Sequence, residues 1–375
     1  MVSGQLRAMQ EAAQLHAHLG LDTTQPVDPF KAIDDLQLEL RFEPMADLWG
    51  AIIPADPPHI IINNRLPGSV QRFTAAHEIG HWILDREQLT LDKVDEIQGH
   101  SNATRERNVQ IFAGHFLMPL PLIYEAAAVQ GVSKGGPVSA QQVYGMARDM
   151  HVSYTAAVNQ LANVNFFSNA RRAEFLRVTP ATLKRQLTHG LTMANTRGDV
   201  WPVEATRDSM DVEVFAGDEI VISLAESPST GFTWMPLEAG WTYRPSNGRG
   251  EFALEGFVAP QAAQSGLMAG DGGGAELAAP APLSFVNDVF VEDPAAGSSI
   301  GGVGNRVVGL ATTAAGDWSV EMRHVRPFAP DQVLEEVELR AHVRPLPQEE
   351  TKLRWIEAFR EEDAALAHIE RDGVE

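Results

Sequence analysis

The sequence predicts an α+β fold: a small sheet and helices in the first third, a helical segment after it, and an all-β module in the second half. Three observations carry this. Residues 36–64 hold three short apolar runs bounded by turn residues, the mark of strands. Residues 69–163 hold apolar stretches punctuated by Ser, Pro and Gly at helix-boundary positions. From about residue 197 the pattern changes to period-two alternation.

A chain of 375 residues suggests two or three domains. There is no cysteine. Disulfides, thiolate metal sites and cysteine nucleophiles are therefore excluded, and a transition-metal site must use His, Asp and Glu. The formal charge of −21 opposes general binding to nucleic acid. The N-terminal stretch MVSGQLRAMQEAAQLHAHLG has no apolar core and no small-residue cleavage site. It does not read as a secretory signal, and no apolar run is long enough to span a membrane. The expected location is cytoplasmic.

Residues 5–19 read as a helix, with Leu6, Met9 and Leu19 on one face and Gly20 as the stop. Pro29 opens a short second helix, PFKAIDDL. LQLELRF (36–42), LWGAIIP (48–54) and HIIINN (59–64) are expected strands. Ser69 is the expected N-cap of a helix running through His77 to about Asp85. Residues 104–117 form another expected helix, stopped before Pro119. VSAQQVYGMARDMHVSYTAAVNQLAN (138–163) reads as helix, turn, helix, with Ser153 capping the second. This is helix-turn-helix-like, but a supporting helical subdomain is the simpler reading. Residues 165–190 are only mildly basic. MDVEVFAGDEIVISLAES and RVVGLATTAAGDWSVEMRHV alternate as strands, and the Ala/Gly/Pro-rich stretch 258–283 reads as a long insertion loop. The expected domains are 1–135, a helical subdomain at 136–195, the β module at 196–335, and an acidic helical tail at 336–375.

RFTAAHEIGHWILD (72–85) contains His77-Glu78-Ile79-Gly80-His81, an H-E-x-x-H pattern. Residues four apart share a helix face, so His77 and His81 can present two imidazoles to one ion. Glu78 is angled off that line and suits a general base. Zinc lowers the pKa of a bound water to about 7. Gly80, with Ala75 and Ala76 a turn earlier, is expected to leave room for substrate or sheet. A catalytic zinc site needs a third protein ligand. The candidates downstream are Asp85, Asp92, Asp95, Glu96, His100, Glu106 and His115. Spacing favours Glu106, which opens the next helix and can be brought back antiparallel.

RFTAAHEIGHWILD followed by ERNVQIFAGHFLMPLPLI resembles the ImmA/IrrE metallopeptidase family, whose pattern is R-F-T-x-A-H-E-x-G-H, E-x-x-A-N-x-F-A, L-L-M-P. Glu106, Phe112, Ala113 and Leu117-Met118-Pro119 fall in register. IIINNRLPGSVQ, PVDPF and HVSYTAAVNQL match as well, so the resemblance spans roughly residues 8–190. Val109-Gln110 stand where Ala-Asn is usual, and Phe116 departs too. The resemblance implies a zincin-like peptidase domain with His77, His81 and Glu106 as zinc ligands and Glu78 as catalytic base. A His2Glu set also accepts manganese or iron. It further implies a protein substrate, typically a helix-turn-helix transcriptional repressor cut in a stress response. His115 and Tyr124 are candidates for stabilising the transition state, each with a packing role as the plainer alternative.

In the β module, Ser227-Pro-Ser-Thr-Gly-Phe-Thr-Trp234, Gly302-Val-Gly-Asn305 and Arg326-Pro-Phe328 occur in that order. They resemble the loops N-P-T-T-G-Y/F-x-W, G-x-G-G and R-P-W/F of chagasin-type inhibitors of papain-like cysteine peptidases. The resemblance covers about 198–330 and implies an immunoglobulin-like sandwich. Thr230, Gly231, Phe232, Gly302, Gly304, Arg326 and Phe328 would then form loops that bind a peptidase. Ser227 and Asn305 depart from the pattern, as does the insertion. Trp234 has a plain alternative role as a core anchor. Two functions compete: a zinc endopeptidase whose β module regulates it or recruits a partner, and a non-enzymatic inhibitor on a peptidase scaffold. The intact H-E-x-x-H favours the first.

Overall fold

Small side chains set the packing of the first helix. Helix α1 (Val2–Leu19) buries Ala8, Ala12, Leu15 and His16, while Leu6 and Met9 are exposed. The buried face is therefore not the one its larger apolar residues suggest. Alanines let α1 approach α4 (Ala103–Leu117) closely, and the His16 ring stacks on Phe116 at 5.2 Å with its Nε2 2.8 Å from the Phe116 carbonyl. The computed structural model describes residues 2–89, 103–204, 209–236, 241–246, 249–254, 283–292 and 302–357. They divide into two units, residues 1–183 with the segment from 346, and residues 184–345.

In the first unit, α2 (Pro29–Asp35) is capped by Asp28, whose side chain accepts from the Phe30 and Lys31 N–H groups. Strands β1 (Glu39–Glu43), β2 (Gly50–Ile53) and β3 (His59–Asn63) form a sheet in the order β1-β3-β2. β1 runs parallel to β3 and β2 antiparallel to it, which leaves β2 at an edge. Helix α3 (Gly68–Leu89) follows. Ser69 lies inside its first turn and is not its cap, because the Val70 and Gln71 N–H groups already bond to the Pro67 carbonyl.

Helices α5 (Leu120–Val129), α6 (Ala140–Asp149), α7 (Tyr154–Asn163) and α8 (Asn169–Phe175) complete the helical part. Ser153 caps α7 as expected, and Ser139 with Gln142 forms a capping box on α6. The buried Arg72 of α3 ties this part to the sheet-bearing part. Its guanidinium donates to the Val27 carbonyl and, at 3.1 Å, to the carbonyl of His151 in the α6–α7 turn. Helix α9 (Pro180–Leu187) leads into the second unit. Among the described residues no single helix is long and apolar enough to cross a membrane.

The second unit holds β4 (Val200–Glu204), β5 (Ser209–Phe215), β6 (Glu219–Glu226), β7 (Thr233–Pro236), β8 (Trp241–Ser246), β9 (Arg249–Leu254), β10 (Leu283–Glu292), β11 (Gly304–Thr312), β12 (Gly316–Arg326) and β13 (Ala329–Arg344). One four-stranded sheet has the order β10-β11-β6-β4, another β5-β13-β12-β7, and β8 pairs with β9. Ile220, Ile222, Leu224, Val308 and Leu310 of the first share a core with Trp234, Met322, Leu339 and Val343 of the second. The two sheets thus pack face to face through these residues, within the all-β module that the alternation predicted. Residues 336–344, expected in a helical tail, are instead the second half of β13. Val337, Leu339, Ala341 and Val343 alternate into the core there. A helix at 347–357, α10, follows. The expected insertion loop, 258–283, lies outside the described residues except for Leu283, which opens β10; the tail beyond 357 lies outside them too.

Candidate metal centre

Helices α3 and α4 lie against each other through Gly80. A Cβ at that position would sit 2.9 Å from Val109 Cγ1 and 3.0 Å from Phe112 Cδ1. Gly80 therefore serves close helix packing, not the approach of substrate or sheet. Ala75 and Ala76 are fully buried. The contact brings the first turn of α4 to the face of α3 that carries both histidines.

His77 Nε2 and His81 Nε2 are 3.2 Å apart. Glu106 Oε2 lies 3.3 Å from His77 Nε2, and Glu106 Oε1 lies 3.6 Å from His81 Nε2. Four ligands placed tetrahedrally at about 2.0–2.2 Å from zinc stand about 3.3–3.6 Å from one another. The three side chains therefore fit one ion, and they form a cluster with the right chemistry for it. Hydrogen bonding to His77 holds the Glu106 carboxyl below its usual range, which keeps it an anion and a better ligand.

Asp85, one of the candidate third ligands, has a different role. Its Oδ2 lies 3.1 Å from His81 Nδ1, on the far side of the ring from the cluster, and accepts from Arg105 Nε at 2.9 Å. Burial acts to raise the Asp85 carboxyl, but the bonds from His81 and Arg105 outweigh it and hold it low. A proton fixed on His81 Nδ1 leaves Nε2 with its lone pair facing the cluster. Asp92, Asp95, Glu96 and His100 lie outside the described residues. His115 sits nine residues past Glu106 on α4, about 13 Å along the axis, and is not part of the cluster. Burial lowers its imidazole pKa. Tyr124 is half exposed on α5 and makes no hydrogen bond to the cluster.

Glu78 is buried beside the two histidines. Burial raises its carboxyl above the usual range, and Glu106 adds to this; His77, His81 and a hydrogen bond from the Ile52 backbone oppose it. Two residues that sequence reading missed place it. A Cβ on Gly50 would lie 3.2 Å from Glu78 Oε1 and 2.5 Å from Thr74 Cγ2, so only glycine lets β2 pass this close to α3. Ile52 then contributes its backbone. The signal was present as a glycine inside a strand pattern, which marks close backbone approach.

Residues 34–161 match the family model described as "IrrE N-terminal-like domain". That segment is thus similar to the IrrE N-terminal-like domain. A curated relative, the "Radiation response metalloprotease IrrE" of Deinococcus deserti, is 34% identical over 129 residues, 33% of this chain and 43% of the relative. The chain thus spans less than half the length of that relative. Among solved structures, the cysteine protease inhibitor EhICP2 from Entamoeba histolytica aligns with 39% of this chain and 96% of its own, at 16% identity and TM-score 0.26. A Mycobacterium tuberculosis transcriptional regulator aligns with 43% and 47%, at 14% identity and TM-score 0.29. Likenesses at such scores carry no argument about fold or function.

In the second unit, strand register gathers the three expected loops at one end. Gly304, which opens β11, pairs with Glu226, which closes β6, and Thr233 of β7 pairs with Val325 near the end of β12. Thr230 closes a short 3-10 turn, bonding the Ser227 carbonyl at 2.8 Å, and Gly231 has φ of 74°. The Arg326 guanidinium stacks over the Phe232 ring at 4.7 Å. Phe328 is exposed, and Gly302 has φ of 27°. A Cβ on Gly304 would lie 2.2 Å from the Val291 carbonyl. Trp234 is buried, stacks on His324 at 4.8 Å and donates from Nε1 to the Ala225 carbonyl, so it anchors the core.

Proposed function

We propose that the protein is a zinc-dependent endopeptidase. The observation that carries this reading is the convergence of His77, His81 and Glu106 at ligand–ligand spacing, with Glu78 buried beside them. Bound there, the ion supplies a Lewis acid that makes water nucleophilic at neutral pH. Glu78, raised by burial, takes the proton of the attacking water and passes it to the leaving nitrogen. Asp85 holds the His81 ring in the tautomer that ligates. The edge strand β2 offers its open side to an extended substrate segment. The substrate class that fits the resemblance is a specific regulatory protein such as a helix-turn-helix repressor.

Metal analysis of the purified protein beside His77→Ala, Glu106→Ala and Glu78→Gln tests the reading. One zinc per chain is expected in wild type, lost in the first two variants. Glu78→Gln should keep the metal and lose proteolysis. Full metal in Glu106→Ala would move the third ligand elsewhere, and full proteolysis in Glu78→Gln would refute the base.

A second reading concerns the β unit. The stacking of Arg326 on Phe232, beside the exposed Phe328, supports a recognition surface of the chagasin type for a papain-like cysteine peptidase. Inhibition assays against papain, with Phe328→Ala as control, test it. No binding by the intact protein would remove it.

A further inference from the structure

The edge of β2 carries more than open backbone. In an antiparallel pair, alternate residues turn their N–H and C=O groups toward the partner strand. The Asn63 N–H donates to the Trp49 carbonyl at 2.8 Å, so residue 49 faces β3. Gly50 and Ile52 therefore turn theirs outward. The Ile52 bond to Glu78 agrees with this and sets the catalytic base on the open edge. The site of Gly50's absent Cβ faces Thr74 and Glu78 on α3. By alternation Ala51 and Ile53 lie on the opposite face of the sheet, away from α3. Ala51 pairs there with Ile61 and Ile53 with His59, both half-buried. Trp49 stands at the bend into the strand, 61% exposed, and Ile53 is 38% exposed. A tryptophan that exposed forfeits a large burial gain unless something else covers it.

A peptide added to this edge would place its side chains alternately on the two faces. One set meets the metal ligands. The other lies beside Trp49, Ala51 and Ile53 as cross-strand neighbours. We propose that Trp49 and Ile53 are specificity-determining residues that select substrate segments bearing aromatic or branched aliphatic side chains at alternate positions beside the cut bond. This rests on the endopeptidase reading. It accounts for two large apolar groups left exposed on the strand whose backbone bonds Glu78.

The test uses the full-length, zinc-loaded protein and a positional-scanning library of quenched-fluorescent decapeptides. Wild type should favour aromatic or branched residues at two positions separated by one residue. Trp49→Ala should lose about tenfold in kcat/KM at one of those positions, mostly through KM, in line with apolar subsite discrimination. Trp49→Phe should keep the preference. An unchanged profile in Trp49→Ala overturns the inference. The same peptides are also titrated onto Glu78→Gln, with and without Trp49→Ala, by fluorescence polarisation. Apolar-alternating peptides should bind about tenfold more tightly than their serine counterparts, and only when Trp49 is present. Equal binding overturns the inference even if cleavage occurs. Absence of cleavage by wild type with selective binding by Glu78→Gln would instead count against the peptidase reading alone.

Discussion

Replacing Gly80 with alanine should weaken metal binding even though alanine is the better helix former. Helix propensity alone predicts a gain of about 1 kcal/mol. The packing predicts the opposite for the site. The new Cβ would lie 2.9 Å from Val109 Cγ1 and 3.0 Å from Phe112 Cδ1. Comfortable carbon contacts are about 3.5–4.0 Å, so the overlap is about 0.5–1 Å. Val109 and Phe112 are fully buried and have no room to rotate away. Helix α4 must recede by several tenths of an ångström. Glu106 sits one turn before Val109 on α4, while His77 and His81 bracket Gly80 on α3. Metal–ligand distances tolerate only about 0.2 Å of error. Overpacking costs of about 1–3 kcal/mol, drawn from binding at about 1.4 kcal/mol per tenfold, give a dissociation constant about tenfold to a hundredfold weaker. Chelator-competition titration of zinc reads this, with circular dichroism to show the helices intact. Unchanged affinity in Gly80→Ala would refute the packing argument.

Three further outcomes follow from the structure. Asp85→Asn should weaken zinc binding about tenfold to a hundredfold by loosening the His81 tautomer, read by the same competition titration; equal affinity would leave Asp85 without an orienting role. Arg306→Met should cost about 3–5 kcal/mol in urea unfolding, because buried Glu226 and half-buried Asp288 both lose their cation. For Asp218, burial and the facing Asp199 push the carboxyl up to about 6 against an ordinary 3.8, despite N–H donors from Asp199, Phe215 and Trp201. The folded protein then holds a proton between these values that the unfolded chain releases, so this stability is full below pH 4 and lost as pH rises through 6. The loss is about 3 kcal/mol. Asp218→Asn should flatten that slope in urea titrations, and parallel curves for the two proteins would exclude it.

The His77, His81 and Glu106 cluster was legible in the sequence because its pattern is local. His77 and His81 need only helical spacing, and Glu106 needs only a helix that turns back. The strands at 210–226 and 306–325 were legible because period-two alternation is strong there. What escaped reading depends on partners distant in sequence. The buried face of α1 follows the small Ala8 and Ala12, because close approach to α4 outweighs the larger Leu6 and Met9. Asp85 was one of seven candidate ligands by sequence, and its bonds to His81 and to Arg105, 20 residues on, are what set it beside the cluster instead. Gly50 and Ile52 place Glu78 from a strand that spacing around H-E-x-x-H does not mention.

The C-terminal helix makes the same point on the scale of the whole chain. After β13 the polypeptide returns to the first unit. Pro347 packs where a Cβ on Gly68 would lie 3.3 Å away, at the start of α3. Thr351 is buried, and Arg354 pairs with Asp28 Oδ2 at 3.1 Å while Asp28 Oδ1 caps α2. The first unit is therefore assembled from two separated stretches, with the β unit inserted between them in the sequence. A cut near residue 195 would remove the β unit and part of the first unit together. The role of the β unit must instead be read from an internal deletion of residues 190–345 that joins the two stretches by a flexible linker. Local periodicity describes α10 as a tail; only the contacts of Pro347, Thr351 and Arg354 make it a part of the unit that carries the His77, His81 and Glu106 cluster.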